Sequence, residues 1–198
     1  MQDFDFPLDF QFKVTTLAND FTVKNAGGLT VCYVRQKMFK LVEEVNVFTD
    51  ESQSDLLYTI KANKWIDFSA AYVFRDAAGQ EVGRVARKGW ASMWKAHYEV
   101  YDQHQQQDFT IREGNVWIRL GDALLSEIPV VNLLTGYFFN PSYTVTRPDG
   151  TRIATLKKQK SFFGRKFTVT QESDFEPGEQ ERIVLSLMMM ILLERRRG

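Results

Sequence analysis

The C-terminal segment VLSLMMMILLERRRG (Val184 to Gly198) is the most apolar part of this 198-residue chain. From Ile183 to Leu193 only Ser186 interrupts the run. A membrane-crossing helix needs about 20 apolar residues to span the hydrocarbon, and this run would reach only about 17 Å at 1.5 Å per residue. A helix lying on a membrane surface needs a polar face, whereas Val184, Leu185, Leu187, Met188, Met190 and Ile191 leave none. Burial on every side is the placement that suits a helix apolar around its whole circumference. Asp174, Glu176, Glu179 and Glu181 precede or open the segment, with Pro177 near its start, and Arg195, Arg196 and Arg197 close it before Gly198. Both ends thus complement a helix dipole and show the proline-first, glycine-last asymmetry of helices. The sequence predicts a helix over about 179–196, enclosed by the rest of the chain.

The remainder reads as strands. Period-two patterns rich in β-branched and aromatic residues recur in FQFKVT, FTVKN, LTVCYVRQK, EEVNVFTD, LLYTIKA and IDFSAAYVF. They continue through EVGRVAR, HYEVYD, FTIRE, SYTVTR, RIATLKK and KFTVTQ. NAGG (25–28), RDAAGQ (75–80) and RPDG (147–150) supply turn chemistry between them. Closely spaced strands with short turns imply an antiparallel sandwich or barrel. Only a closed barrel offers a lumen for a helix apolar on all sides, and it leaves no free edge. The expected fold is mainly β: a closed antiparallel barrel of about twelve strands around a central, buried C-terminal helix. One stretch, Asn115 to Pro141, breaks the rhythm and suggests a helical insertion at about 115–128 within a single domain spanning 1–198.

Charge narrows the function classes. Lys+Arg and Asp+Glu balance at 25 each, which argues against a dedicated nucleic-acid binder, whose affinity rests on neutralising phosphates. The one cysteine, Cys32, cannot form an internal disulfide and sits between apolar neighbours in LTVCYV, as a small core residue would. The acidic opening MQDFDFPLDF lacks the layout of a signal peptide. A cytoplasmic location, peripheral at a membrane if lipid is bound, is expected.

GRVARKGWASMWKAHYEVYD, the hairpin YTVTRPDGTRIATLKKQKSFFGRKFTV and the terminal apolar helix together resemble the LURP-one-related family of the tubby C-terminal-like superfamily. LLSEIPVVNLLTGYFFNPSYTVTRPDG is similar to the phospholipid scramblase-like branch. The resemblance covers most of the chain from about Leu8 onward. It implies a roughly twelve-stranded antiparallel barrel around a C-terminal helix, and a basic surface site that in tubby-type members binds phosphoinositide headgroups. No stretch of this chain matches that site residue by residue. Animal scramblases have an acidic calcium loop before the terminal helix; Asp174, Glu176, Glu179 and Glu181 lie there, but Pro177 interrupts them and no EF-hand pattern appears.

Among surface stretches, KKQKSFFGRK is the leading candidate for contact with lipid. Lys157, Lys158, Lys160, Arg165 and Lys166 flank Phe162 and Phe163; basic residues gain about 1 kcal/mol each near an anionic leaflet, and inserted rings add hydrophobic transfer energy. Solvated lysines with the rings folded back on the barrel would give the same pattern. Arg84, Arg87, Lys88 and Lys95 around Trp90 and Trp94 form a secondary anion-site candidate, a mixture that is also common in an ordinary strand and bend. His97 and His104 have only Glu99 and Asp102 as nearby donors, so no metal and no cofactor is expected. No nucleophile elbow, P-loop or dinucleotide fingerprint occurs. The expectation is a non-enzymatic barrel that binds an anionic phospholipid, a phosphoinositide or a membrane surface, without a transmembrane span and without nucleic acid. A structural or protein-interaction module lacking lipid affinity is the alternative.

Overall fold

The computed structural model of the chain describes residues 4–13, 19–37, 44–63, 71–87, 97–114, 142–159 and 166–195. Its strands are β1 (Leu8–Phe12), β2 (Asp20–Lys24), β3 (Thr30–Gln36), β4 (Glu44–Phe48), β5 (Leu56–Asn63) and β6 (Ala71–Asp76). They continue as β7 (Glu81–Arg87), β8 (His97–Tyr101), β9 (Gln107–Glu113), β10 (Ser142–Thr146), β11 (Arg152–Lys158) and β12 (Lys166–Gln171). One helix, α1 (Glu179–Arg195), follows. Each strand pairs antiparallel with its sequence neighbour, and β1 pairs with β12 to close the barrel. The expected helical insertion at about 115–128 lies outside the described residues.

Strand alternation explains the wall. Tyr143, Leu156, Val169 and Leu8 are successive register partners and face inward, all buried. Their neighbours Ser142, Lys157, Thr168 and Asp9 form the matching outward row. An apolar interior with polar and charged side chains outside is the reverse of a water-filled barrel set in lipid. Phe10, Phe12 and Phe21 add a ring cluster inside, with centroids 5.8 and 4.8 Å apart.

The lumen is filled by α1. Ile183, Val184, Leu185, Leu187, Met188, Met189, Met190, Ile191 and Leu192 are at most 2% exposed, as the circumferential apolarity of the sequence demands. Burying each such side chain contributes roughly 2 kcal/mol, so a few of them match the whole net stability of an ordinary domain. The backbone of α1 lies nearest β6, β7 and β8. Gly83 of β7 allows that approach: a Cβ there would sit 2.7 Å from Arg182 Cδ and 2.7 Å from the Tyr101 carbonyl oxygen, at φ 154°.

The two ends of the barrel differ. Odd strands begin, and even strands finish, at what we term the turn end, which carries the β2–β3, β4–β5, β6–β7, β8–β9 and β10–β11 connections and the lead into α1. RPDG makes one of these turns. The Gly150 amide donates to the Arg147 carbonyl at 3.0 Å and the Thr151 amide to Asp149 Oδ1 at 2.8 Å, with Gly150 at φ 92°. The opposite, connection end is where Phe12, Gln36, Asn63, Arg87, Glu113 and Lys158 terminate their strands.

Candidate functional site

At the turn end a polar clamp seats the helix. Arg147 donates from Nε and Nη2 to the two Glu179 carboxylate oxygens at 2.9 and 2.6 Å, and from Nη2 to the Asp174 carbonyl at 2.9 Å. Glu179 also accepts the Glu176 amide at 2.8 Å, so the first residue of α1 caps its own approach. Burial opposes ionisation of Glu179, but Arg147 and the Glu176 amide outweigh it and hold the carboxyl below its ordinary value. Arg182 donates from Nε to Asp108 Oδ2 at 2.5 Å; there burial prevails over the guanidinium, and the Asp108 carboxyl is raised. Gln180 Nε2 donates to the Phe4 carbonyl at 2.7 Å. The open groove beside this clamp, about 420 Å³ between Phe6, Pro7 and residues 170–174, contains Glu172 and Asp174 and so offers no place for an anion.

The connection end has the opposite chemistry. Lys157 is exposed and outward, between Ser142 and Thr168 in register, and makes no ion pair with any described residue. Lys158 is half-buried at the inner rim opposite Phe167, whose ring lies 6.3 Å from that of Phe12. Lys166 places Nζ 3.2 Å from Asp9 Oδ2, and Asp9 also accepts from Thr168 Oγ1 at 2.7 Å. The antiparallel pairing of β11 with β12 therefore brings Lys157, Lys158 and Lys166 to adjoining strand ends, with part of the Lys166 charge balanced by Asp9. Lys160, Phe162, Phe163 and Arg165 lie outside the described residues.

The secondary candidates are separated. Arg84 faces outward and binds Glu81 Oε1 through Nε at 3.0 Å and Nη2 at 2.5 Å. Arg87, three positions on, faces the other way at the connection end, its guanidinium 5.9 Å from the Tyr98 ring centre. Lys88 and Lys95, with Trp90 and Trp94, lie outside the described residues. His97 and Glu99 share the outward face of β8; Glu99 is buried and accepts Tyr101 Oη at 2.5 Å. Burial and that carboxylate push the Tyr101 hydroxyl up to about 12. Among the described residues no group of three or more His, Cys, Asp or Glu is arranged to hold a metal ion.

Two features escaped the sequence reading. The Arg147–Glu179 and Arg182–Asp108 pairs join residues 32 and 74 positions apart, and no local pattern announces them. Lys61 and Arg112 also face outward near the connection-end termini of β5 and β9, both exposed, with Lys61 Nζ 3.6 Å from Glu44 Oε2; Arg35, outward on β3, donates instead to Gln53 Oε1 of the β4–β5 turn at 2.9 Å. Strand parity gives their outward direction, but only the barrel shows what each of them reaches.

Fold and surface together define a helix-filled antiparallel barrel with a cluster of lysines where β11 and β12 meet. A family model described as LURP-one-related matches residues 30–192, and the chain belongs to that family. The relation to the tubby C-terminal-like superfamily is consistent with it. Neither the curated proteins nor the solved structures contain a match. No helix among the described residues is long and apolar enough to cross a membrane.

Proposed function

We propose that this chain is a non-enzymatic binding barrel whose ligand is anionic phospholipid, met as headgroups at the face of a membrane. The observation that carries the reading is the convergence of Lys157, Lys158 and Lys166 on neighbouring strand ends, continuous in sequence with Phe162 and Phe163. Cations held near an anionic leaflet contribute about 1 kcal/mol each, and less for Lys166, whose charge Asp9 partly balances, so the cluster supports reversible rather than permanent association. Phenyl rings entering the headgroup region add area-dependent affinity without a spanning segment.

Co-sedimentation tests this reading. Vesicles containing phosphatidylserine or phosphoinositide are compared with neutral vesicles, at low and high salt. Binding is expected only to the anionic vesicles, weakening with salt and with Phe162→Ala combined with Phe163→Ala. Equal failure on every vesicle overturns the reading and favours a structural or protein-interaction module, in which Lys166–Asp9 and Lys61–Glu44 pairing (3.2 and 3.6 Å) serves the fold alone.

A further inference from the structure

The barrel wall is closed, yet at the turn end two neighbouring strands part. The last β1–β12 pair is Leu8 with Val169. Before Leu8 the chain bends away from β12: the Asp5 carbonyl accepts the Ala26 amide at 3.2 Å, and the Phe6 ring lies 5.2 Å from that of Phe175. β12 instead runs on beside β11, with Gln171 opposite Ala154, and the Glu172 amide donates to the Ile153 carbonyl at 2.9 Å. Successive residues of a strand direct their backbone groups to opposite sides. Thr170 and Glu172 therefore turn theirs to β11, and Gln171 turns its N–H and C=O to the side that β1 has left. Among the described residues no backbone group meets them there. The resulting gap is the groove of about 420 Å³ between Phe6, Pro7 and residues 170–174.

Charge specifies what this open edge would accept. Glu172 and Asp174 line the groove and are exposed; Asp5 and Glu176, also exposed, adjoin it in sequence. Asp5, Asp174 and Glu176 make no ion pair with any described residue. Glu172 accepts the Thr155 hydroxyl through Oε1, and its Oε2 lies 3.9 Å from Nε of the exposed Arg152, so its charge is only loosely balanced. Half-buried Phe6 supplies an apolar wall beside these carboxylates.

From this geometry we infer that the groove binds an extended peptide carrying arginine or lysine at alternate positions, laid as a short added strand along residues 170–174. Gln171 offers the main-chain bonds that fix register when a strand is added to a sheet edge. Side chains two positions apart fall on one face of a strand, which matches the two-residue spacing of Glu172 and Asp174. Five residues extend roughly 17 Å at 3.4 Å each, so the contact is short and its binding reversible. The inference is independent of the membrane reading, because its site lies at the turn end and its ligand is cationic.

Fluorescence anisotropy with the full chain tests it, using labelled acetyl-Val-Arg-Val-Arg-Val-amide and the counterpart with glutamate in place of arginine. The arginine peptide is expected to bind at least about tenfold more tightly, and to weaken with salt. Asp174→Asn with Glu172→Gln is expected to cost about tenfold, the worth of one charge-assisted hydrogen bond, whereas Lys157→Gln leaves binding unchanged. Methylating the peptide's backbone nitrogens keeps its charge but removes its main-chain donors, and is expected to cost about tenfold as well. The unmethylated peptide is expected to slow hydrogen exchange at the Gln171 amide several-fold. Melting curves confirm that the variants are folded. Equal binding of the two peptides, no effect of the double substitution, or no binding of the arginine peptide at millimolar concentration overturns the inference. Equal binding of the methylated peptide, with Gln171 exchange unchanged, reduces the groove to a cation site and overturns the added strand. Self-association of the chain that the same double substitution abolishes gives the groove to a second copy and overturns the assignment to a separate peptide.

Discussion

The two ends of this barrel are built from the same strands and put to opposite uses. At the turn end, connections are short, exposed carboxylates gather, and two arginines are consumed in holding the helix: Arg147 on Glu179 and Arg182 on Asp108. At the connection end, Lys157 stands exposed without an ion pair to any described residue. The difference shows that charge on this fold does two kinds of work. Where a charged group is partly buried it fixes architecture, because leaving its partner unpaired is expensive; where it is exposed it adds little to stability and remains available for a surface.

The comparison is broken most severely by removing what both ends enclose. Truncation after Glu181 deletes the apolar body of α1 and leaves the inward faces of the strands unfilled; the expected product has no cooperative thermal transition and binds a hydrophobic dye. A soluble fragment with near-native near-ultraviolet circular dichroism would show that the wall stands without its filling. Next in size is Gly83→Ala, which pushes a methyl group against Arg182 and the Tyr101 carbonyl oxygen. A loss of about 3 kcal/mol is expected from overpacking and backbone strain, measured by urea denaturation.

Arg147→Ala sharpens the contrast at the clamp. Its expected cost at pH 7 is about 2 kcal/mol, that of losing charged hydrogen bonds. The pH dependence follows from Glu179, whose carboxyl is held below its ordinary value of 4.5. Around that pH the unfolded chain binds more protons than the native one, so the contribution of the pair is complete above 4.5 and is lost as pH falls through the lowered native value. The urea midpoints of wild type and Arg147→Ala are therefore expected to converge as the pH is lowered through the ordinary value of 4.5 and below it. A gap that stays constant over this range would remove Glu179 ionisation from the account. The smallest effects belong to exposed charges: Lys157→Gln is expected to change stability by less than about 0.5 kcal/mol, and Asp50→Asn to leave the denaturation midpoint close to that of the wild type. A larger change in denaturation midpoint for either would mean that its charge is structural.

Particular residues show how far the primary structure reaches. Period-two alternation in segments such as SYTVTR and KFTVTQ, bounded by turns such as RPDG, announces strands because side-chain direction in a strand depends only on adjacent positions. The run Ile183–Leu193 announces a buried helix because no other environment accepts apolarity on every side. The β11–β12 lysines were visible as a basic cluster because an antiparallel pair joined in sequence keeps its neighbours together. Arg84 and Arg87 looked like one site for the same reason, yet alternation along β7 sends them to different faces, Arg84 to Glu81 and Arg87 to Tyr98.

By itself, then, the amino-acid sequence determined which segments are strands, which is the core helix, and that the helix must be enclosed, since each follows from local periodicity and transfer energy. Closure of β1 on β12, the pairing of Arg147 with Glu179 and of Arg182 with Asp108, and the meeting of Lys13 with Glu51 were decided only in three dimensions. Those relations join residues far apart in the chain, and neither strand parity nor composition carries the register around a closed barrel that brings them together.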